Sequence, residues 1–331
     1  RWATPTWSAL EAALGALEDA DVAVVASGMA AIAAVLLPLL HPGDRALLPA
    51  DGYGPTRALA AEHLTPRGVH VDLVATQGLA HADLSGYDLV LVETPSNPGL
   101  RVADLADVAA RAHANGRRDG AGALVVVDNT LLTPLGQRPL ELGADVVVAS
   151  DTKAVNGHTD ALGGHVASRD PQVMARVRGW RTLAGGILGT HEAWLIHRGL
   201  ETLEVRFARM CASAQAVAEL AAGHPAVRAV VYPGLADHPD AEVVARQMTA
   251  AGGLVGLRFA DAAAAERFIA AAQYVVPQTS FGGTHTAAER RARWGDDVPD
   301  GFVRLSVGVE PPAELLADLE RAMTAAGGGP T

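Results

Sequence analysis

Short apolar runs alternate with helical stretches through the first half of the chain. The runs lie at residues 21–26, 46–49, 69–74, 88–92, 123–127 and 144–149. Helical composition, or apolar residues at helical spacing, marks stretches that lie before or between these runs. They are 8–17, 30–37 and 104–115. Strands that alternate with helices predict repeated βαβ units, and therefore a mainly parallel sheet covered by helices on both faces.

The remainder of the chain follows a different order. A long helical region is predicted at 191–222 and a closing helix from Ala313, and the stretch 284–300 is predicted to be one long polar loop. Further strands are predicted at 227–231, 254–259 and 302–307, and further helices at 241–250 and 262–272. We predict two domains, a large α/β domain at 1–203 and a smaller α+β domain at 204–331.

Composition and charge narrow the class of protein. The 331 residues are 49% hydrophobic and carry a net charge of −11 without any basic stripe, which argues against nucleic acid as a partner. The apolar run 29–40 is too short to span a bilayer and contains Pro38, so no membrane segment is predicted. Because the chain begins with Arg1 rather than Met, we expect an upstream segment.

Cysteine and histidine usage bear on redox state and metals. Cys211 is the single cysteine, so no internal disulfide can form, and a reducing, cytoplasmic setting is expected. The twelve histidines include no HExxH or Cys/His ligand pattern, so no metal site is predicted.

Candidate catalytic and binding residues follow the apolar run 144–149. Ser150, Thr152 and Lys153 follow this predicted strand, at the edge where open α/β sheets bind their ligands. A lysine there can serve as a cation for a phosphate, or as an amine that forms a Schiff base with a carbonyl cofactor. Taken alone, Lys153 is better interpreted as a solvated loop lysine. The rest of the chain changes that interpretation.

The ends of other predicted strands carry residues that could bind a phosphate or a flat cofactor. Ser27-Gly28-Met29 joins the first predicted strand to a helix, where N–H groups and the helix dipole can hold a phosphate. An N-cap serine with a packing glycine explains the same residues equally well. Tyr53 is suited either to stacking on a flat cofactor or to simple packing. Asn97 and Asp128 follow two further strands.

Two other enzyme classes have motifs that this chain matches only in part. Ser150-x-x-Lys153 matches the SxxK of penicillin-recognising serine enzymes, but the SDN and KTG elements that accompany it are missing from the chain. A dinucleotide-binding site needs GxGxxG after the first strand, where this chain has Ser-Gly-Met, so NAD is disfavoured.

Several motifs in a fixed order are far more specific than any one of them. They are Ser27-Gly-Met, Glu93-Thr-Pro-Ser-Asn-Pro, Val126-Val-Asp-Asn-Thr, Ser150-x-Thr-Lys, Asn156-Gly-His-Thr-Asp, Tyr232-Pro-Gly-Leu and Val303-Arg-Leu-Ser-Val-Gly-Val-Glu. In this order the chain resembles, over almost its whole length, the pyridoxal-phosphate (PLP) enzymes of cysteine and methionine metabolism. The segment from Ser280 to Arg291 looks most like the actinobacterial cystathionine γ-lyase branch. The resemblance implies the aspartate-aminotransferase fold, PLP fold type I.

The resemblance also implies roles for individual residues. Lys153 would bind PLP covalently and later move protons, while Asp128 would pair with the pyridine nitrogen and keep it protonated. Tyr53 would stack on the ring and assist proton or leaving-group chemistry. The phosphate would be held by Ser27, Gly28, Met29, Ser150 and Thr152.

Substrate contacts and assembly follow from the same resemblance. Arg304 would bind the substrate α-carboxylate as a bidentate fork, with help from Ser280. Asn97 would contact both the cofactor and the substrate. Arg1 would reach the phosphate in a neighbouring subunit, which implies a homo-oligomer, usually a dimer of dimers.

The implied activity is a carbon–sulfur lyase that acts on L-cystathionine by α,γ-elimination, and cystathionine γ-synthase and β-lyase are the alternatives. Departures from the family pattern at Asp151, at 154–155, at Thr279 and at His285 leave these alternatives open. Pro55 stands where methionine γ-lyases carry a cysteine, which disfavours that activity. An aminotransferase and a non-catalytic subunit are both disfavoured, the latter because Lys153 and its partner residues are all present.

Overall fold

Seven strands form the larger sheet of the computed structural model, which describes residues 3–115 and 122–328. In chain order they are β1 (Asp21–Val25), β2 (Arg45–Pro49), β3 (His70–Val74), β4 (Leu89–Glu93), β5 (Leu124–Asp128), β6 (Val146–Ala149) and β7 (Gly164–Ser168). Their order across the sheet is β1-β7-β6-β5-β4-β2-β3. Strands β2 to β6 are parallel, whereas β7 runs antiparallel to both β1 and β6. The predicted, mainly parallel sheet is confirmed.

Helices cover both faces of this sheet. They are α1 (Pro5–Glu18), α2 (Gly28–Leu39), α3 (Gly54–Leu59), α4 (Leu105–Asn115), α5 (Thr133–Gly136), α6 (Pro171–Ala184) and α7 (Thr190–Leu200). Val146 and Val148 pack with α2 and α6 on one face, while Val147 packs with α1 on the other. Because β6 is buried on both faces, its β-branched sequence needs no polar alternation.

A second sheet has a separate hydrophobic core. Its strands are β8 (Ala229–Val231), β9 (Leu254–Arg258), β10 (Val276–Pro277), β11 (Ala287–Arg290) and β12 (Phe302–Ser306), in the order β10-β11-β12-β9-β8. It packs with α8 (Leu203–Ala222), α10 (Ala262–Ala271) and α11 (Pro312–Ala326), and α9 (Ala241–Gln247) lies between β8 and β9 in the chain. This is the α+β unit expected in the second part of the chain, while the boundary between 203 and 204 stays a prediction.

The predicted helical region 191–222 is confirmed, and the structure divides it into two helices. Helix α7 ends at Leu200 and α8 begins at Leu203. The carbonyl of Gly199 accepts hydrogen bonds from the side chains of Thr202 and Arg206. These side chains satisfy the end of α7, so the chain can turn instead of continuing as one helix.

The prediction of a single loop at 284–300 is wrong. The segment contains β11 and a 3₁₀ turn at Arg291–Trp294. Alanines are weak strand formers, so Ala287 and Ala288 gave no strand signal in the sequence. The strand forms because it pairs along its whole length with β12, and Ala287 and Ala288 are buried there.

Candidate active site

The carboxyl ends of three parallel strands form one edge of the larger sheet. Glu93, at the end of β4, lies opposite Asp128 at the end of β5, and Asp128 lies opposite Val148 of β6. Asn97 follows β4 and Lys153 follows β6, so the register brings the predicted residues to the same edge. This is the position at which open α/β sheets bind their ligands.

Lys153 lies in a turn at residues 150–157, which we call the lysine turn. The backbone of the turn is closed by three hydrogen bonds, from Lys153 N–H to the Ser150 carbonyl, from Asn156 to Asp151, and from Gly157 to Lys153. Arg206 of α8 donates to the carbonyls of Ala154 and Val155. The backbone that carries the amine is therefore held from two sides.

The amine of Lys153 faces the smaller sheet. Its Nζ donates to Ser280 Oγ at 2.9 Å and lies 5.0 Å from the centroid of the Phe281 ring. Burial, followed by the positive charge of Arg304, lowers the pKa of Lys153 to about 8. About a tenth of this amine is then neutral at pH 7, far more than for an ordinary lysine, and the neutral form is the one that attacks a carbonyl.

Arg304 lies in β12 and is only 3% exposed. Its guanidinium donates to Asn97 Oδ1 and to the carbonyl of Thr279, and it lies 5.2 Å from the Phe281 ring. Burial, and then the charge of Arg291, lowers the pKa of Arg304 to about 10, so it stays cationic at neutral pH. A buried cation beside Lys153 is suited to bind a carboxylate.

Four of the five predicted phosphate-binding residues, Ser27, Gly28, Met29 and Ser150, meet at the start of α2. Ser27 is the N-cap, and its Oγ accepts from Ala30 N–H, whereas Gly28 and Met29 N–H are first-turn donors without an acceptor inside the helix. A Cβ on Gly28 would lie 2.6 Å from the Cβ of Ser150, so only glycine allows this approach. The Thr152 hydroxyl lies 3.2 Å from the Gly163 carbonyl and donates to it.

Asp128 lies at the end of β5 beside Thr130. Its Oδ1 accepts from the backbone N–H and the hydroxyl of Thr130, and the Thr130 oxygen accepts from Ser150 N–H at 2.9 Å. Burial raises the pKa of Asp128, while the Thr130 hydrogen bonds and the positive charge of His165 act in the opposite direction. This carboxylate is suited to pair with a protonated ring nitrogen, as predicted for PLP.

Tyr53 precedes α3, and its ring is 43% exposed. Its backbone N–H donates to Glu93 Oε2 at 2.6 Å. Burial, and then the negative charge of Asp128, raises the pKa of Glu93 well above its usual value. The exposed ring is free to stack on a flat ligand, and Glu93 fixes the backbone that carries it.

Several residues of this site were not identified from the sequence. Glu93 and Thr130 lie inside motifs that were recognised, so their position next to Asp128 was the available signal. Phe281 follows Ser280, and nothing in its local pattern predicts contact with two cations. Arg206 is a polar residue on the buried side of α8, which is a weak signal for a contact with the lysine turn.

Three further predictions bear on the site. Arg1 lies outside the described residues. Within 3–115 and 122–328, no cluster of three or more His, Cys, Asp or Glu side chains is arranged to hold a metal ion. The helices in the same ranges all lack the combination of length and apolar character that a bilayer crossing requires.

The residues fit PLP by their chemistry. The site combines an amine of lowered pKa, a carboxylate at the end of β5, an exposed aromatic ring and a helix start whose Gly28 allows close backbone approach. These are the groups that a phosphate-bearing pyridine aldehyde requires.

Comparison with known proteins gives consistent results. The family model described as Cys/Met metabolism PLP-dependent enzyme matches residues 1–324. A Streptomyces coelicolor protein named "Putative cystathionine gamma-lyase" is 48% identical over 96% of this chain and 81% of its own length. The cystathionine gamma-synthase of Mycobacterium tuberculosis is 39% identical over 98% of this chain and 85% of its own.

Solved structures are also similar to this chain. The apo structure of CalE6, a methionine gamma lyase from Micromonospora echinospora, matches with a TM-score of 0.90 and 40% identity. The match covers 97% of this chain and 87% of that chain. With the mostly parallel central sheet, these matches show PLP fold type I.

Proposed function

Because this chain belongs to the Cys/Met metabolism PLP-dependent enzyme family, we propose that it is a cystathionine γ-lyase. The reaction converts L-cystathionine and water to L-cysteine, 2-oxobutyrate and ammonia. The observation that carries the proposal is that Lys153, which donates to Ser280, and Arg304, which donates to Asn97, lie 5.0 and 5.2 Å from the same Phe281 ring. The higher identity to the Streptomyces coelicolor protein than to the γ-synthase supports elimination over replacement.

When bound, PLP supplies an electron sink for negative charge that develops at the substrate carbons. Asp128 would hold the ring nitrogen in its protonated form, which would strengthen that sink. Lys153 removes the proton from Cα and, as a base of lowered pKa, is suited to move protons at neutral pH.

Arg304 binds the substrate α-carboxylate and thereby orients Cα toward Lys153. Asn97 accepts from Arg304 and holds the guanidinium in place, while Ser280 lies within hydrogen-bond distance of Lys153. Tyr53, which is exposed before α3, would cover the ring face and deliver a proton to the leaving thiolate. A Cβ proton must also be removed, so that a Cβ–Cγ double bond forms as the Cγ–S bond breaks and the thiolate leaves as cysteine. The four-carbon product released is an enamine, which water hydrolyses to 2-oxobutyrate and ammonia.

γ-Synthase and β-lyase activities are the alternatives, because relatives with these names are 39% and 37% identical to this chain. Thr279 stands where γ-lyases and γ-synthases often have an acidic residue, and this departure leaves elimination and replacement open. Incubation of the purified protein with L-cystathionine, followed by identification of the keto acid, tests the proposal. 2-Oxobutyrate supports γ-elimination and pyruvate indicates β-elimination. Activity only with an activated homoserine and a thiol would replace the proposal with a γ-synthase. Lys153→Ala is the control and should abolish both product formation and the near-visible absorbance of the bound cofactor.

We also propose that the protein acts as a homo-oligomer in the cytoplasm. Large exposed apolar side chains, such as Trp194 at 54% and Val205 at 62% exposure, support association. Sedimentation of the purified protein at several concentrations gives the mass in solution, and a monomer at all of them would contradict the proposal.

A further inference from the structure

A cluster of three buried charged side chains lies beneath the lysine turn and has no role in the mechanism above. His165 of β7 is fully buried, with its Nδ1 2.7 Å from Asp151 Oδ1 and its Nε2 3.3 Å from Glu18 Oε1. The exposed fractions of the Asp151 and Glu18 side chains are 0% and 2%. We call these three residues the His165 cluster. It joins the end of α1, strand β7 and the lysine turn.

The position of His165 links it to both parts of the cofactor site. His165 lies opposite Ala149, the last residue of β6 before the lysine turn. Its neighbour Gly164 lies so close to the Ser27 carbonyl that a Cβ there would be 2.5 Å from that oxygen. His165 therefore lies beside the strand end that leads into the lysine turn. Its neighbour Gly164 contacts the start of α2, where the phosphate is predicted to bind.

Asp151 occupies the second position of the lysine turn. It follows Ser150 directly and lies two residues before Lys153, and its own carbonyl accepts from Asn156 N–H. The carboxylate is fully buried, and its Oδ1 contacts His165. Its other oxygen, Oδ2, is buried and has no hydrogen-bond partner in the described part of the chain. A buried carboxylate in this state needs a nearby positive charge.

His165 is suited to supply that charge. Although burial lowers the pKa of His165, the charges and hydrogen bonds of Asp151 and Glu18 outweigh this and raise it to about 10. The imidazolium therefore faces one carboxylate on the lysine turn and one on α1. Its charge also lowers the pKa of Asp128, which burial raises.

We propose that His165 is a positioning residue for the cofactor site and that it acts through Asp151, whose carboxylate it binds to hold the lysine turn in place. The proposal does not depend on which sulfur substrate the enzyme uses. Without the contact, the turn would lose its anchor on the side of β7, and Thr152 and Lys153 would no longer be held in one geometry toward the cofactor.

The test measures the Kd for PLP of the apoprotein, together with the thermal unfolding temperature, for four variants. Asp151→Asn removes the charge on the turn and leaves the Glu18–His165 pair, so it is expected to fold. His165→Gln leaves two carboxylates without their cation. Both variants are expected to raise the Kd for PLP by about tenfold or more.

The matched controls keep the contact with the turn. Glu18→Gln removes a carboxylate from the same cluster but leaves Asp151 bound to His165. Arg181→Gln breaks a buried ion pair with Glu11, also on α1, whose N···O distance is 2.6 Å. Both controls are expected to lower the unfolding temperature and to change the Kd for PLP by less than about threefold.

The pattern across the variants decides the proposal. A wild-type Kd for PLP in Asp151→Asn would overturn it, as would an increase of equal size in Glu18→Gln or Arg181→Gln. If His165→Gln does not fold, the comparison of Asp151→Asn with Glu18→Gln still gives the answer. These measurements use no substrate, so failure of the γ-lyase assignment would leave their interpretation unchanged.

Discussion

The neighbours of Lys153 determine its charge. Burial makes the charged amine less stable, and the nearby Arg304 guanidinium makes it less stable still. At the same edge of the sheet, the carboxylate of Asp128 accepts hydrogen bonds from Thr130. The resemblance to the PLP enzymes implied roles for Lys153 and Asp128, but the magnitude and the sign of each effect on their pKa depend on the surroundings.

The capture of PLP by the apoprotein should follow the neutral fraction of Lys153. Because the pKa is about 8, the capture rate should rise about tenfold per pH unit below pH 8 and level off above it. Arg304→Gln removes a repelling charge, so the midpoint should move to higher pH. The measurement is the growth of near-visible absorbance after mixing apoprotein with PLP at a series of pH values.

The same change at an exposed arginine serves as the control. Arg45→Gln removes a charge whose ion pair with Asp72 is largely exposed, and it should leave the midpoint unchanged. A wild-type midpoint close to the usual lysine pKa of 10.5 would contradict the lowered pKa.

Asp128→Asn should lower kcat/KM for keto-acid formation by about 10²-fold or more, because a neutral amide cannot stabilise a protonated ring nitrogen. Asp83→Asn makes the same chemical change in an exposed turn and should have wild-type activity. Full activity in Asp128→Asn would remove this residue from the proposed mechanism. The measurement is the initial rate of keto-acid release.

At the scale of elements, close backbone contacts assemble the site. Helix α2 approaches Ser150 through Gly28, and the loop before β11 approaches the lysine turn through Gly282. Gly282 has a φ of +75°, and a Cβ there would lie 2.7 Å from the backbone nitrogen of Ala154. Both contacts need glycine, one because of space and the other because of space and backbone conformation.

Gly28→Ala should destabilise the protein by about 1–3 kcal/mol, because the new methyl group must displace Ser150. The affinity for PLP should also fall, since Gly28 and Ser150 both face the predicted phosphate site. The control is Gly179→Ala inside α6, where a Cβ meets no atom within 4 Å. That variant should gain up to about 1 kcal/mol. Urea unfolding of the apoproteins gives both numbers, and equal stability of the two variants would contradict the close contact.

At the scale of elements, the strands of the larger sheet were largely predictable from the sequence. Their apolar runs are long enough and β-branched enough to be distinctive. Strand β7 was missed because its sequence, Gly-His-Val-Ala-Ser, is short and carries two polar residues. His165 is buried in that strand only because Asp151 and Glu18 lie next to it, and this partnership cannot be recognised from local sequence.

At the scale of the whole molecule, polar contacts hold the two sheets together. Arg101, in the loop after β4, donates from Nε and Nη2 to the two carboxylate oxygens of Asp240, at 2.8 and 2.7 Å. Gln247 of α9 bonds to the backbone of Ala103 and Leu105. Since Lys153 and Arg304 belong to different sheets, these contacts contribute to the geometry of the site.

Asp240→Asn should lower the free energy of unfolding by about 1–3 kcal/mol at neutral pH, because it removes a charged partner from a partly buried pair. Asp19→Asn breaks the exposed pair with Arg169 and should cost at most about 1 kcal/mol. Urea unfolding of both variants measures the difference, and equal losses would contradict a stabilising role for the contact between the sheets.

The effect of Asp240 should also depend on pH. Burial raises its pKa, but the hydrogen bonds from Arg101 and Val102 outweigh burial and leave the pKa below 3.8. A carboxyl group with a lowered folded pKa stabilises the protein above its unfolded pKa, and this contribution is lost as the pH falls. The stability difference between wild type and Asp240→Asn should therefore shrink as the pH falls below 3.8.

Local sequence patterns were enough to predict the alternation of strands and helices, and they placed Asp128 and Lys153 after the ends of predicted strands. These features follow from local patterns, because apolar periodicity and strand-end residues are encoded over short distances. The tertiary structure alone decided the register that sets Glu93 against Asp128, the contact of Lys153 with Ser280, and the burial of His165 between two carboxylates. Each of these joins residues far apart in the chain, and their energies depend on burial and distance, which no local pattern specifies.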